Sequence, residues 1–357
     1  MPALTPESNP ATIHSVEESA RAAPALTWDA LEENVSYRAA DLLGAAPENL
    51  NPGLYVPPSP SPQAPDPEPQ TALWQIETLT IDFKDDLNNF SEGNRLIEPT
   101  VSGRLANGDR LSASTGFNTF TDPEVERVVN VPLKAAWTGS MGDFTTTLGA
   151  GVDLFERRPV ALNLRASTEI SLGPSASLSV HLDHGPYKFN AATLDNQISA
   201  WRYGPQLFWQ ITPDTSFFSL LRLGNYSDGN WEQQSFSRLE HHLGEFTLAA
   251  NLFNWRYGRD VEATSGYFSP PDFLVSNGEL AWRGQILPNL SCRLAALLGA
   301  QRLMGNWSGT YGYDALCTAQ FNQVEVDLGY GFSNVAASGE GSAYRNRTIR
   351  GQVRTRF

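Results

Sequence analysis

Ser216–Asn230 reads SFFSLLRLGNYSDGN, Glu245–Tyr257 reads EFTLAANLFNWRY, Gly266–Phe273 reads GYFSPPDF, and Leu274–Ile286 reads LVSNGELAWRGQI. With the polar segment before Leu243, this stretch holds four runs of alternating apolar and polar side chains, the period of a β-strand. The break between the second and third runs is only Leu243-Gly244-Glu245. The breaks on either side are longer and carry Tyr, Trp, Gly, Asp and Pro. Tight turns at one end and larger loops at the other are how strands of a transmembrane β-barrel are joined.

Working outward, the same alternation predicts sixteen strands, at 73–84, 95–106, 109–120, 128–139, 143–155, 159–171, 175–185, 196–211, 215–226, 233–243, 245–257, 272–286, 289–303, 311–321, 323–334 and 343–357. Each even-numbered strand is followed by a brief turn such as Asn107-Gly108 or Thr212–Asp214, with residues suited to hairpin and type I turns. Connections after odd-numbered strands are mostly longer, Phe155–Pro159 being a brief exception. An even strand count with this two-sided asymmetry predicts an all-β fold, a closed antiparallel transmembrane barrel over 71–357.

Alternation also assigns faces. In the sixth strand Leu162, Leu164 and Ala166 oppose Asn163, Arg165, Ser167 and Glu169; in the last, Ile349, Val353 and Phe357 oppose Arg350, Arg354 and Arg356. A charge at mid-depth on the lipid side costs about 2–4 kcal/mol. Arg165, Glu169, Asp183, Arg202, Arg238, Glu279, Arg283, Glu325, Asp327, Arg350, Arg354 and Arg356 are therefore expected to line a wet, charged lumen. The last three arginines have two readings: a site for an anionic polymer, or partners for Glu325 and Asp327 across the barrel seam. Trp74, Trp137, Trp201, Tyr203, Trp209 and Trp282 are expected in interfacial girdles.

Composition narrows the rest. Formal net charge is -14 and the pI near 4.8, which argues against a nucleic-acid partner. No apolar run reaches the eighteen residues of a membrane-spanning helix, which leaves a barrel untouched. Cys292 and Cys317 fall on neighbouring predicted strands, on the lipid side, as small hydrophobes or as a cross-strand disulfide. No ligand spacing for a metal and no phosphate loop occurs, so no cofactor is expected. His181 with Asp183, and His241-His242 beside Glu240, lack a nucleophile motif, so no enzyme is expected either.

Before the barrel, 15–22 and 27–43 read as short helices in a segment 1–56, the second amphipathic with Trp28, Leu31, Val35 and Leu42 on one side. This segment is expected to be periplasmic or a plug. PPSPSPQAPDPEPQ at 57–70 reads as an extended polyproline spacer. MPALTPESNP has neither the basic nor the apolar region of a signal peptide. Since a barrel reaches an outer membrane only by export, a mature form, a fragment or a misassigned start is expected.

Gly224–Asn230, GNYSDGN, resembles the YSDGN-type segment in the C-terminal barrel of the cellulose synthase operon protein C family. Gly266–Phe273, about forty residues on, looks like that family's GYFSPQ-type segment. The resemblance implies an outer-membrane pore, in a diderm bacterium, that exports an exopolysaccharide such as cellulose. It implies as partners the polymer chain, outer-membrane lipid and periplasmic or inner-membrane synthase components, while a terminal Phe suits the outer-membrane insertion machinery. Family members carry tetratricopeptide repeats before the barrel, whereas this chain has room for one or two helical hairpins. Tyr226, Asp228, Trp231, Trp255, Tyr257, Tyr267 and Phe268 gather at the loops between strands 9 and 12, where a gate or an exit track for sugar stacking is expected; girdle or loop packing is the plainer reading. A passive porin for small solutes and an envelope anchor are the alternative functions.

Overall fold

The structure is a computed structural model that describes residues 74–89, 91–335 and 344–357. The expected helices at 15–22 and 27–43 and the spacer at 57–70 lie outside the described residues. Strands β1 (Trp74–Asn88), β2 (Gly93–Leu105), β3 (Arg110–Thr115 and Phe117–Thr121), β4 (Val128–Met141) and β5 (Phe144–Phe155) open the barrel. They are followed by β6 (Ala161–Ser171), β7 (Ala176–Pro186), helix α1 (Ala191–Asp195), β8 (Ser199–Thr212), β9 (Thr215–Tyr226) and β10 (Trp231–Leu243). Strand β11 (Phe246–Tyr257), helix α2 (Glu262–Ser265), β12 (Phe273–Leu287), β13 (Leu290–Leu303), β14 (Asn306–Phe321), β15 (Val324–Val335) and β16 (Tyr344–Arg356) complete it.

Every strand pairs antiparallel with its sequence neighbours, and β1 pairs with β16 from Thr78↔Arg356 to Asn88↔Asn346. The sheet is thus a closed ring of sixteen strands with no free edge. The interruption of β3 has a local cause. Registers Thr100↔Ser114 and Ile97↔Phe117 on either side put Pro99 opposite Thr115, and proline has no N–H for the ladder.

Turns at the end where β1 begins and β16 ends are tight, several with a residue at positive φ, such as Gly244 (63°) and Asn322 (54°). Alternation runs cleanly down each strand. In β11, Phe246, Leu248, Ala250 and Leu252 are exposed, while Thr247, Ala249, Asn251, Phe253, Trp255 and Tyr257 are buried. The exposed set faces outward with Leu162 (52%), Leu298 (74%) and Leu328 (57%), an apolar exterior that suits only lipid. Trp74, Trp201, Tyr203 and Trp209 stand exposed on this outer wall. Near the turn end, Trp137 Nε1 donates to Asp109 Oδ2 at 2.9 Å and Trp282 Nε1 to Glu245 Oε2 at 3.0 Å. Cys292 and Cys317 stand opposite each other on β13 and β14 and form a disulfide on this same wall.

The interior departs from the expectation of a uniformly wet lumen. Phe218, Leu220, Phe236, Phe253, Phe273 and Val275 point inward from β9–β12 and are buried in one apolar cluster with Val261 and Tyr267 of the β11–β12 loop. That loop folds into the barrel rather than away from it, so the loopward half of this wall is packed core.

Candidate functional site

The two loop motifs form one docked unit. Gly229, at φ 78°, turns the chain after β9, and the Asn230 amide is held by Asp228 Oδ1 at 3.0 Å. The outer Asp228 oxygen, Oδ2, accepts from Ser265 Oγ at 2.7 Å and from the Tyr267 hydroxyl at 2.9 Å. Asn230 Nδ2 donates to Arg259 O at 2.9 Å and to the Tyr267 hydroxyl at 3.2 Å. Asp228, Gly229 and Asn230 therefore fasten the β11–β12 loop to the β9–β10 turn, which explains two motifs that lie one hairpin apart.

Around this clamp sits a knot of aromatic rings. Tyr226 stacks on Tyr267 with centroids 5.1 Å apart, and Tyr187 meets both edge-on at 4.9 and 5.3 Å. The Tyr257 hydroxyl lies 3.1 Å from that of Tyr187 and 3.3 Å from that of Tyr226. Trp255 packs on Tyr257 and Phe268, and its Nε1 donates to Glu232 Oε2 at 3.0 Å. Tyr226, Trp255, Tyr257 and Tyr267 are all buried. An exposed stacking track is thus corrected: these rings spend their faces on one another. Trp231 is corrected too, because it stands on the outer wall, 43% exposed, with the Arg256 guanidinium 6.0 Å above its ring. Strand alternation sends residue 231 outward and Glu232 inward.

Sequence reading missed Tyr187 and the segment it begins. Residues 187–198 leave β7, form the single turn α1 and return to β8, held at both ends by contacts inside the ring of strand ends. Asn190 caps α1, accepting from the Thr193 amide at 2.8 Å. Ala191 and Leu194 bury against Phe120, Val128 and Phe155 of β3–β5. Arg158 Nη1 donates to Asp195 Oδ1 at 2.6 Å, Lys188 Nζ to Asp153 Oδ1 at 2.8 Å, and Asn190 Nδ2 to Glu92 Oε1 at 3.2 Å. On the other side, Thr193 Oγ1 donates to Gly266 O at 3.0 Å. A strap from β7–β8 thus touches the β1–β2 turn, the β3–β5 wall and the β11–β12 loop. It crosses the loop-end mouth.

Burial sets the charge states here. It raises the Glu92 carboxyl above its ordinary 4.5, against hydrogen bonds from Asn88 and Asn190 and with Asp122 and Glu124 adding to the rise. It also pushes up the Tyr187 and Tyr267 hydroxyls and pushes down the Lys188 ammonium, the last opposed by Asp153.

Below the mouth, the expected lumenal charges point inward and mostly pair. Arg202 meets Asp183 at 2.9 Å on β8 and β7. Arg238 reaches Glu240 at 2.6 Å and Glu279 at 2.9 Å; Glu279 also binds Arg293, which faces Asp314 at 3.5 Å. Arg350 lies 2.7 Å from Asp314, two strands away, passing over Gly329 of β15, where a side chain would crowd it. Arg354 and Arg356 meet Glu325 at 3.0 and 3.9 Å, while Asp327 accepts from Thr318 Oγ1 at 2.5 Å. The seam arginines are therefore partners of carboxylates, Arg350 of Asp314 and Arg354 and Arg356 of Glu325. Arg165 and Glu169 share the inward face of β6 with Asn163, and Arg283 stands beside Arg293 by register. Asp314 and Arg293 escaped notice although strand parity places both inside.

A closed sixteen-strand ring with a lipid-facing exterior and an ionic lumen defines an outer-membrane-type β-barrel. No protein-family model matches the chain, and no curated protein does. Among solved structures, a bacterial polysaccharide outer membrane secretin is similar over 79% of this chain and 98% of its own, with TM-score 0.68 and 10% identity. CdiB from Acinetobacter baumannii is similar over 78% of this chain and 60% of its own, with TM-score 0.50 and 12% identity. OpdQ from Pseudomonas aeruginosa follows at TM-score 0.47 and 10% identity, over 79% of this chain and 99% of its own. These likenesses concern the fold.

Proposed function

We propose that the chain is a gated outer-membrane channel that exports a neutral exopolysaccharide, a cellulose-like glucan or a related polymer. The observation that carries this reading is the strap 187–198, clamped across the mouth by Tyr187, Thr193 and the Asp228–Tyr267 unit. A passive porin needs a standing aperture. A polymer exporter needs a mouth that stays shut until a chain arrives. Mutual pairing of the lumenal charges supports a neutral cargo, since a polyanion path would present cations unneutralised. The motif resemblance to cellulose synthase operon protein C and the fold likeness to a polysaccharide secretin agree with this direction. A synthase on the inner side would feed the pore.

Conductance in planar bilayers tests the gate. The wild-type protein should be mostly silent, and the Tyr267→Ala/Phe268→Ala variant should open steadily and alter polymer release from cells. A wild-type pore that conducts steadily, with release unaffected by the variant, would return the protein to the passive porins.

A further inference from the structure

On the outer wall at the loop end, β14–β16 and β1 carry a patch unlike the leucine-rich surface around it. Tyr311, Tyr313 and Phe332 form a ladder of rings, with Tyr311–Phe332 centroids 5.8 Å apart and Tyr313–Phe332 stacked at 5.1 Å and 14°. Cross-strand register continues this row from Phe332 to Arg347 on β16 and on to Leu87 on β1. Arg345, one step nearer the loop end, pairs by register with Asn334. Both arginines point outward with Ile349 and are exposed. Among the described residues neither meets a carboxylate. The nearest outward acid along this row, Asp85, is taken up by Arg95 at 2.8 Å.

An outward arginine at bilayer mid-depth would cost about 2–4 kcal/mol, falling to about 0–1 kcal/mol at the interface. Arg345 is the second residue of β16 and Arg347 the fourth, so both sit at the interfacial rim, at the height of the aromatic ladder. Stacked rings with an apolar body suit the head-group boundary, and guanidinium groups there bind phosphate in a forked geometry.

We propose that Arg345 and Arg347, backed by the Tyr311–Phe332–Tyr313 ladder, form a site for the phosphorylated head group of an outer-leaflet lipid. The site lies outside the lumen and does not depend on what the pore carries. It rests on the membrane placement of the barrel alone. Its charge is complementary to phosphate, and its depth matches a lipid head group rather than a solute in the bulk phase.

Native mass spectrometry of the full chain in non-ionic detergent tests this, with bis-phosphorylated lipid A, dephosphorylated lipid A and inorganic phosphate as probes. Bis-phosphorylated lipid A should bind, and the Arg345→Gln/Arg347→Gln variant should lose about tenfold or more of that affinity, the effect of two cations at an anionic surface. Dephosphorylated lipid A should bind both proteins as weakly as the variant binds the phosphorylated form, and inorganic phosphate should not compete at equal concentration. Heat-modifiable migration in gels confirms that the variant barrel is folded; Arg256→Gln, on the outer wall of β11 and outside this patch, should bind as wild type. Equal binding by the double variant, equal binding of the dephosphorylated lipid, competition by inorganic phosphate, or a dimer that dissociates on the double substitution would each overturn the proposal.

Discussion

In the gated reading proposed above, Glu92 is the residue through which closure of the mouth would meet solution conditions. Its carboxylate receives Asn190, the cap of α1, and burial holds its pKa above the ordinary 4.5. The closed mouth therefore binds a proton that an opened, hydrated Glu92 would give up. Stability of closure from this group is fully present below about pH 4.5 and fades as pH rises through the raised value. Protonation leaves an oxygen to accept from Asn190, so the latch itself survives. Open probability in bilayers should thus rise from acid toward neutral pH, and Glu92→Gln should flatten that rise with the closed level kept. A wild-type profile that ran the other way would remove Glu92 from the latch. Asp228 works differently: it accepts two hydroxyls across a loop and turn, and removing it leaves buried donors unmet, at about 1–3 kcal/mol each.

At the scale of elements, the hairpin β13–β14 carries a covalent tie. Cys292 and Cys317 enclose 25 residues of separation, and on chain-entropy grounds such a loop is worth about 3 kcal/mol. Reduction, or Cys292→Ser/Cys317→Ser, should lower the urea midpoint of unfolding without changing conductance, because the bond lies on the lipid wall and touches nothing in the lumen. The strands themselves were legible: alternation placed them within a few residues, and Gly244 and Asn322 marked tight turns where a positive φ is needed. Facing was legible where one side is charged, as in β6 and β16. It failed in the loopward half of β9–β12, where Leu221 and Leu223 alternate with Leu220 and Phe218, so both faces are apolar and period alone cannot tell lipid from packed core. The strap was not legible at all. A five-residue helix has no measurable period, and its latches join residues as far apart as Glu92 and Asn190, 98 positions in sequence.

For the whole molecule, ring closure and lumenal electrostatics are one problem. β16 carries three inward arginines beside the seam, and such a row would repel itself in a low-dielectric wall without partners. Gly329 lets Arg350 reach past β15 to Asp314, while Glu325 takes Arg354 and Arg356. Neutralisation by pairing leaves little net field along the bore, so a pore opened by Tyr267→Ala/Phe268→Ala should pass small cations and anions about equally. Glu325→Gln in that background frees two arginines, of which Arg354 is 35% and Arg356 66% exposed. Solvent already screens this pair, so the stability cost should stay within about 1 kcal/mol. The freed charges remain in the permeation path, and the reversal potential in a salt gradient should shift toward anions. Arg354→Gln should shift it the opposite way or leave it unchanged. If Glu325→Gln left the reversal potential where it was, the seam would lie outside the conducting path, and the bore would have to run along the β4–β8 wall instead.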